Sequence, residues 1–166
     1  MKVNVNDFLK KYATKEYRYG IYIPKDINEE CNKIKLNTIL NNNVDPYIEI
    51  PDNIDEVIDA NKHKDEQREA LYNEISSHRL NGMNYEKQGL INRAIEEYAL
   101  SIELGEQTDI FHAYAHSYTR IIILLNKLKK YELEIIYISQ YLKHNLSDRE
   151  VEKYHKRLEK IKSKIK

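Results

Sequence analysis

Two histidines, His112 and His116, stand four residues apart in the segment HAYAH. On a helix both rings project from one face, the spacing that lets two imidazoles share a metal ion. The intervening residues lack the glutamate of the H-E-x-x-H arrangement, and no third ligand lies nearby. They read as helix-surface histidines, and no metal is expected. Cys31 lies in EECNK, where acidic neighbours raise a thiol pKa and work against a nucleophile. It reads as a buried small residue. The carboxylate pairs Glu29-Glu30 and Glu96-Glu97 fall on predicted solvent faces. No phosphate-binding loop, G-x-S-x-G elbow or dinucleotide fingerprint occurs. No catalytic residue and no cofactor is therefore assigned, and an enzyme is not expected, unless an activity is housed in the N-terminal segment. The lysines of the last segment are suited to phosphate, which makes a nucleic-acid-associated regulator the alternative reading. The simpler reading is a solvated helix face that also complements the helix dipole.

These residues are held by a chain patterned for helices. The stretch from Leu71 to Leu104 reads as two amphipathic helices around a turn at Gly89. Leu71, Ile75, His78, Gly82 and Tyr85 form one stripe; Ile91, Ala94, Ile95, Tyr98 and Ile102 form the other. Both follow the three- and four-residue rhythm of a buried helix face. Gly89 stands where the first helix must end in a left-handed residue. After the loop GEQTD, with Thr108 or Asp109 as cap, a third helix runs to about Lys129 on the stripe Phe111, Ala115, Tyr118, Ile122 and Leu125. A fourth opens at Tyr131 and carries Ile135, Ile138 and Leu142. The last begins with the capping box Ser147-Asp148-Arg149-Glu150, with Leu146 stapled on Val151. Its stripe is Val151, Tyr154, Leu158, Ile161 and Ile165.

The spacing of Gly82, Tyr85, Gly89, Ala94 and Tyr98 resembles the tetratricopeptide repeat (TPR). His78, Asn81, Ser101 and Glu106 depart from its tryptophan, leucine, later alanine and proline. One repeat spans about 75–108. A degenerate repeat spans about 109–146, with Lys129 in the place of Gly89, Glu134 in that of Ala94 and Ile138 in that of Tyr98. The resemblance implies an all-α fold of TPR-like hairpins, an α–α superhelix closed by a C-terminal capping helix. It also implies protein–protein interaction, as an adaptor or regulatory subunit binding a peptide or partner protein in a groove. Carried over position by position, the groove is lined by Ser76, Arg79, Met83, Glu86 and Lys87 of the first hairpin. The second contributes His116, Thr119, Arg120, Ile123, Asn126 and Lys127. Arg79, Arg120 and Lys127 are suited to a carboxylate. Met83 stands where the family's chaperone-tail clamp has an asparagine, which argues against that ligand.

Residues 1–62 form an irregular N-terminal extension ahead of the helical domain at 63–166. Asn4 or Asn6 caps a short helix through Tyr12. The aromatic segment Tyr17 to Pro24 reads as a short strand or an extended arm. Asp26 and Glu29 resemble a capping box for a helix carrying Cys31, Ile34, Leu36 and Ile39. Pro46 and Pro51 keep the next segment extended, with Tyr47, Ile48 and Ile50 packed on the helical body. A helix then starts at Asn53, and a break near Asn61 is left open.

Composition narrows the class. The 166 residues are 41% hydrophobic and 33% charged, which suits a folded helical protein. Lys+Arg and Asp+Glu both number 27, so there is no bulk attraction to nucleic acid or to an anionic membrane. A single cysteine, no apolar leader and no long apolar run point to a cytoplasmic protein with no membrane association. With only two hairpins visible, the ends of the stack need cover. The apolar arm Tyr17–Tyr22, too apolar for water, favours a homodimer.

Overall fold

With four glycines and three prolines in the chain, little interrupts helix formation. The computed structural model describes residues 1–13, 16–17, 21–42 and 45–165. Among these, seven helices and two short strands form: β1 (Lys2–Asn4), α1 (Val5–Tyr12), α2 (Lys25–Asn41), β2 (Tyr47–Glu49), α3 (Ile54–Lys87), α4 (Ile91–Gly105), α5 (Phe111–Lys127), α6 (Tyr131–Tyr141) and α7 (Asp148–Ile165). The fold is all-α apart from the β1–β2 pair. Among the described residues, no helix is long and apolar enough to cross a membrane. The chain divides into two compact units, Met1–Arg68 and Glu69–Lys166. The division falls inside α3, which runs through Asn61 without a break.

The N-terminal unit has its own core of Val5, Phe8, Tyr12, Tyr22, Ile23, Ile27, Cys31, Ile48, Ile50, Ile54 and Ile58. Asn4 caps α1, its side-chain oxygen accepting from the Asn6 and Asp7 amides at 3.0 and 3.2 Å. One element was not expected, and two expectations need correction. The start of the chain is a strand: β1 pairs antiparallel with β2, Val3 opposite Ile48. The aromatic arm forms no strand among its described residues. Tyr22 and Ile23 are buried within this unit, so these side chains are covered by their own chain, while Arg18, Tyr19 and Gly20 lie outside the described residues. The Asp26–Glu29 capping box is not made, because α2 already starts at Lys25 behind Pro24. Along α2 only Ile27 and Cys31 are buried, and Leu36 and Ile39 are exposed. Burial, then Glu30, pushes the Cys31 thiol pKa up.

The C-terminal unit is built by neighbours in sequence: α4 packs on α5, α5 on α6 and α6 on α7. The α3–α4 contact is close because Gly82 has no side chain. A Cβ there would sit 2.8 Å from the ring of Tyr98, which is fully buried. His78 adds a 2.6 Å bond from its Nδ1 to Glu97. Between α4 and α5 the small residues Ser101 and Ser117 meet, Oγ to Oγ, at 2.9 Å. The expected α5 stripe was too narrow. Ala113, Tyr114, Ser117, Ile121 and Leu124 are buried as well as Tyr118, Ile122 and Leu125, because α5 has α4 on one side and α6 on the other. Thr108 does not cap α5. Its hydroxyl donates to the Gly105 carbonyl and accepts from the Ile110 amide, closing the preceding turn. At the start of α7 one half of the Ser147–Glu150 box forms: the Ser147 hydroxyl accepts the Glu150 amide at 3.3 Å and donates to the Glu150 carboxylate at 3.4 Å.

The two interhelical turns share one hydrogen-bond pattern. At the first, the Leu90 amide donates to the Tyr85 carbonyl at 2.9 Å and that of Gly89 to Glu86 at 3.0 Å. At the second, Lys130 donates to Leu125 and Lys129 to Asn126, both at 2.9 Å. Both turns pivot on a left-handed residue, Gly89 at φ 76° and Lys129 at φ 57°. This is the Schellman closure of a helix C-terminus.

Lys129 holds a conformation that costs a side-chain-bearing residue about 1–2 kcal/mol. Lys129→Gly is expected to stabilise the protein by about 0.5–1 kcal/mol in urea denaturation, the unfolded-state entropy of glycine offsetting part of the gain. Gly105→Ala is expected to do the opposite, although Gly105 ends a helix at an ordinary φ. Its Cβ would lie 2.2 Å from Cδ1 of the buried Tyr114 ring. The loss should be about 1–3 kcal/mol. An unchanged denaturation midpoint in either variant would contradict the packing described.

Candidate functional site

The residues expected to line a groove come from α3 and α5. Helix α3 presents Ser76, Arg79, Met83, Glu86 and Lys87 at spacings of three and four. Met83, Glu86 and Lys87 meet His116 and Arg120 of α5 around an open cavity of about 380 Å³. Glu86 is the hub. Its carboxylate accepts the Tyr98 hydroxyl at 2.9 Å and Nε of Arg120 at 3.2 Å, and it pairs closely with the second guanidinium nitrogen. Burial raises the Glu86 pKa, but the Arg120 guanidinium and the Tyr98 hydroxyl outweigh it and hold the carboxyl below its ordinary value. The same bond raises the Arg120 pKa. Partial burial, then the Arg79 and Arg120 charges, lowers the His116 pKa.

The other expected residues are distributed along the same helices. Arg79 approaches the Met83 sulfur at 4.0 Å and acts electrostatically on His116. The Lys127 charge reaches Glu86. Thr119 donates its hydroxyl to the His116 carbonyl at 2.9 Å. Ile123 is half-buried. The Ser76 hydroxyl oxygen is buried without a hydrogen-bond partner among the described residues. Asn126 faces a different cleft and donates to Glu134 at 3.0 Å. Arg120 is thus committed to Glu86, and Arg79, Lys87 and Lys127 are the cations left to face a ligand.

Sequence reasoning missed three polar clusters. Glu134, at the position of Ala94 in the preceding hairpin, is fully buried. It accepts Nε of Arg157 at 2.8 Å, and Arg157 also reaches the Ile122 carbonyl at 3.5 Å. A buried carboxylate is tolerated only when so partnered. The signal was a glutamate at an apolar helix position with an arginine on the next helix. The second cluster is the Glu86–Arg120 pair itself, visible only as two opposite charges thirty-four residues apart. In the third, Glu106 accepts the Tyr118 hydroxyl and lies 2.7 Å from Nε2 of His144, whose ring stacks on Phe111 at 4.1 Å. Glu106 and His144 border a cleft of about 730 Å³ that also includes Glu103, Tyr137, Gln140 and Lys143. A carboxylate lies between hydroxyl and imidazole, so the base-to-nucleophile bond of covalent catalysis is not made.

The His112 ring lies 5.7 Å from Tyr72 and the His116 ring 6.5 Å from Tyr98. Among the described residues, no group of three or more His, Cys, Asp or Glu is placed to hold a metal.

Because the folded Glu86 pKa is depressed, the pair contributes stability above the unfolded pKa and loses it as pH falls through the folded value. The thermal midpoint is expected to drop on acidification below pH 4.5, the ordinary carboxyl value. Glu86→Gln should lower the midpoint at neutral pH and flatten that acid limb. Parallel wild-type and variant curves would show that the pair carries no pH-dependent stability.

Comparison of the chain with protein families, curated protein sequences and solved structures finds no match.

Proposed function

We propose that this chain is a protein–protein interaction module whose C-terminal unit is a TPR-like stack of helical hairpins. The observation that carries the reading is the cavity between α3 and α5. Met83, Glu86, Lys87, His116 and Arg120 come from two hairpins and line one open space. They are residues that the TPR pattern assigns to a groove. The repeat relation is supported by matching turns. Residues 85, 86, 89 and 90 make the same backbone bonds as 125, 126, 129 and 130. Ala94 and Glu134 are both buried, as are Tyr98 and Ile138. A step of forty residues separates each pair, against about 34 in the family, and the turn before α5 takes up the difference. Helix α7 packs on α6 and supplies the covering face that a helical stack needs.

On this reading the protein is an adaptor or regulatory subunit that binds a peptide or partner protein and works without catalysis or cofactor. The concentration of lysines on α7 favours a second reading, association with nucleic acid. The balanced overall charge of 27 cations and 27 anions weighs against it.

The experiment replaces Met83 with a photo-crosslinking amino acid and compares the otherwise unchanged protein with Arg79→Glu/Lys87→Glu. Those two cations do not hold the fold together, whereas Arg120 is excluded because it anchors Glu86. A discrete protein adduct formed by the first and reduced about tenfold in the second, with unchanged circular dichroism, is the expected outcome. Adducts indifferent to the charge reversal would refute the groove.

A further inference from the structure

Beside the α3–α5 cavity lies a cleft of about 340 Å³ between α5 and α7. Asn126 lines it from α5. Lys153, Lys156, Arg157, Lys160 and Lys164 line it from α7, with Ile161 buried among them. Residues 153, 156, 157, 160 and 164 recur at three and four, so the cations share one helix face. Such convergence is self-repelling and has no evident role in stability. The helix dipole accounts for Lys162 and Lys164 in the last turn. It does not account for Lys153 and Lys156, which sit in the half of α7 nearer its positive end, or for Arg157 at its middle.

The carboxylates nearby pair with two of the five cations, Arg157 and Lys156. Glu134 lies fully buried, held by Arg157 and Asn126. Lys156 has an exposed partner in Glu152 at 2.7 Å, a surface pair of small worth. Among the described residues, Lys153, Lys160 and Lys164 have no carboxylate within ion-pair distance; Lys153 and Lys164 lie only over the rings of Tyr154 and Tyr131. Arg157 is fixed before any ligand arrives. Glu134 takes Nε and the Ile122 carbonyl takes one terminal nitrogen, leaving the other without a partner among the described residues. A guanidinium immobilised in this way loses little side-chain entropy on meeting a carboxylate.

We propose that the α5–α7 cleft is a subsite for the carboxylates of an acidic peptide segment, with Arg157 and Asn126 as fixed donors and Lys153, Lys160 and Lys164 as the attracting charges. This rests on the peptide-groove reading above and gives the partner its chemistry: the segment lying along α5 is acidic where it reaches α7. A peptide fits better than nucleic acid on three grounds. No aromatic ring lines the cleft to stack a base. Asp148, Glu150, Glu152 and Glu159 lie on the same helix and repel a long polyanion. The chain has no net charge to attract one.

The test is fluorescence anisotropy on the full chain with three labelled probes: a short glutamate-rich peptide, its glutamine counterpart, and an oligothymidine of matching charge. The glutamate peptide is expected to bind about tenfold more tightly than either other probe, with affinity falling as salt rises. Lys153→Glu/Lys160→Glu should weaken it by about tenfold again, and the milder Lys153→Gln/Lys160→Gln by less, with circular dichroism reporting the fold of each. Equal binding of both peptides, or no binding of the glutamate peptide, overturns the subsite. Tighter binding of oligothymidine overturns it in favour of nucleic acid. Glutamate-peptide binding that survives both lysine variants but is lost in Arg79→Glu overturns the subsite and leaves the groove reading standing. A Met83 crosslink indifferent to Arg79→Glu/Lys87→Glu in the earlier experiment, by contrast, removes the groove reading itself.

Discussion

The C-terminal unit depends on the absence of a side chain at Gly82. Because nothing projects from that position, the Tyr98 ring lies against the backbone of α3. That depth brings the Tyr98 hydroxyl to Glu86, one helical turn further along α3. Glu86 in turn fixes Arg120 on α5. One missing methyl group thus sets three helices and places the only acid of the α3–α5 cavity beside its most constrained cation. Burial alone would push the Glu86 proton on; the hydrogen bonds and the guanidinium hold it off. Packing and charge at this node cannot be separated, because each requires the close approach of α3 and α4.

The same device recurs with different chemistry. Gly105 ends α4 against the ring of Tyr114 on α5, again with no room for a Cβ. Tyr118, one turn beyond, sends its hydroxyl to Glu106, as Tyr98 does to Glu86. Tyr141 repeats the arrangement with Glu150 at the start of α7. Each junction buries an aromatic body in the core and leaves its polar tip to a carboxylate nearer the surface. The chain has no tryptophan and fourteen tyrosines, and Tyr98, Tyr118 and Tyr141 fill the core of this unit with rings that each have such a partner. Desolvation, reinforced by the carboxylate bond at Tyr98, Tyr118 and Tyr141, raises the pKa of these phenols, so they remain donors throughout the physiological range.

What could be read in advance followed from local rules. The stripes through Ile75, Ala94, Tyr98, Ile102 and Ile138, the pivot at Gly89 and the capping box at Ser147 depend on residues within a few positions of one another. The positions of Met83, Glu86, Lys87, His116 and Arg120 on their helices were likewise legible, since face follows from spacing. Long-range pairing was not. β1 is too short to show alternation and exists because β2, more than forty residues away, satisfies its amides. The width of the α5 core reflects two neighbours, and a helix read in isolation reveals one stripe only. Asp26 and Glu29 matched a capping pattern, yet Pro24 had already set the start of α2.

Glu134 shows how a degenerate position can become structural. The equivalent site in the first hairpin is Ala94, where a small residue suffices for close packing. A carboxylate there must find donors, and they come from both sides, Asn126 within its hairpin and Arg157 on α7. An apolar residue of similar size would serve stability as well, since burying an ion pair recovers little beyond its desolvation cost. What the pair adds is geometry. A hydrophobic contact tolerates rotation of α7 about its axis, whereas a guanidinium held at Nε by Glu134 and at a terminal nitrogen by the Ile122 carbonyl does not. The rotation that satisfies Arg157 is also the one that turns Lys153, Lys160 and Lys164 toward α5. The charge of the cleft is therefore set from inside the core, by the buried Glu134 carboxylate.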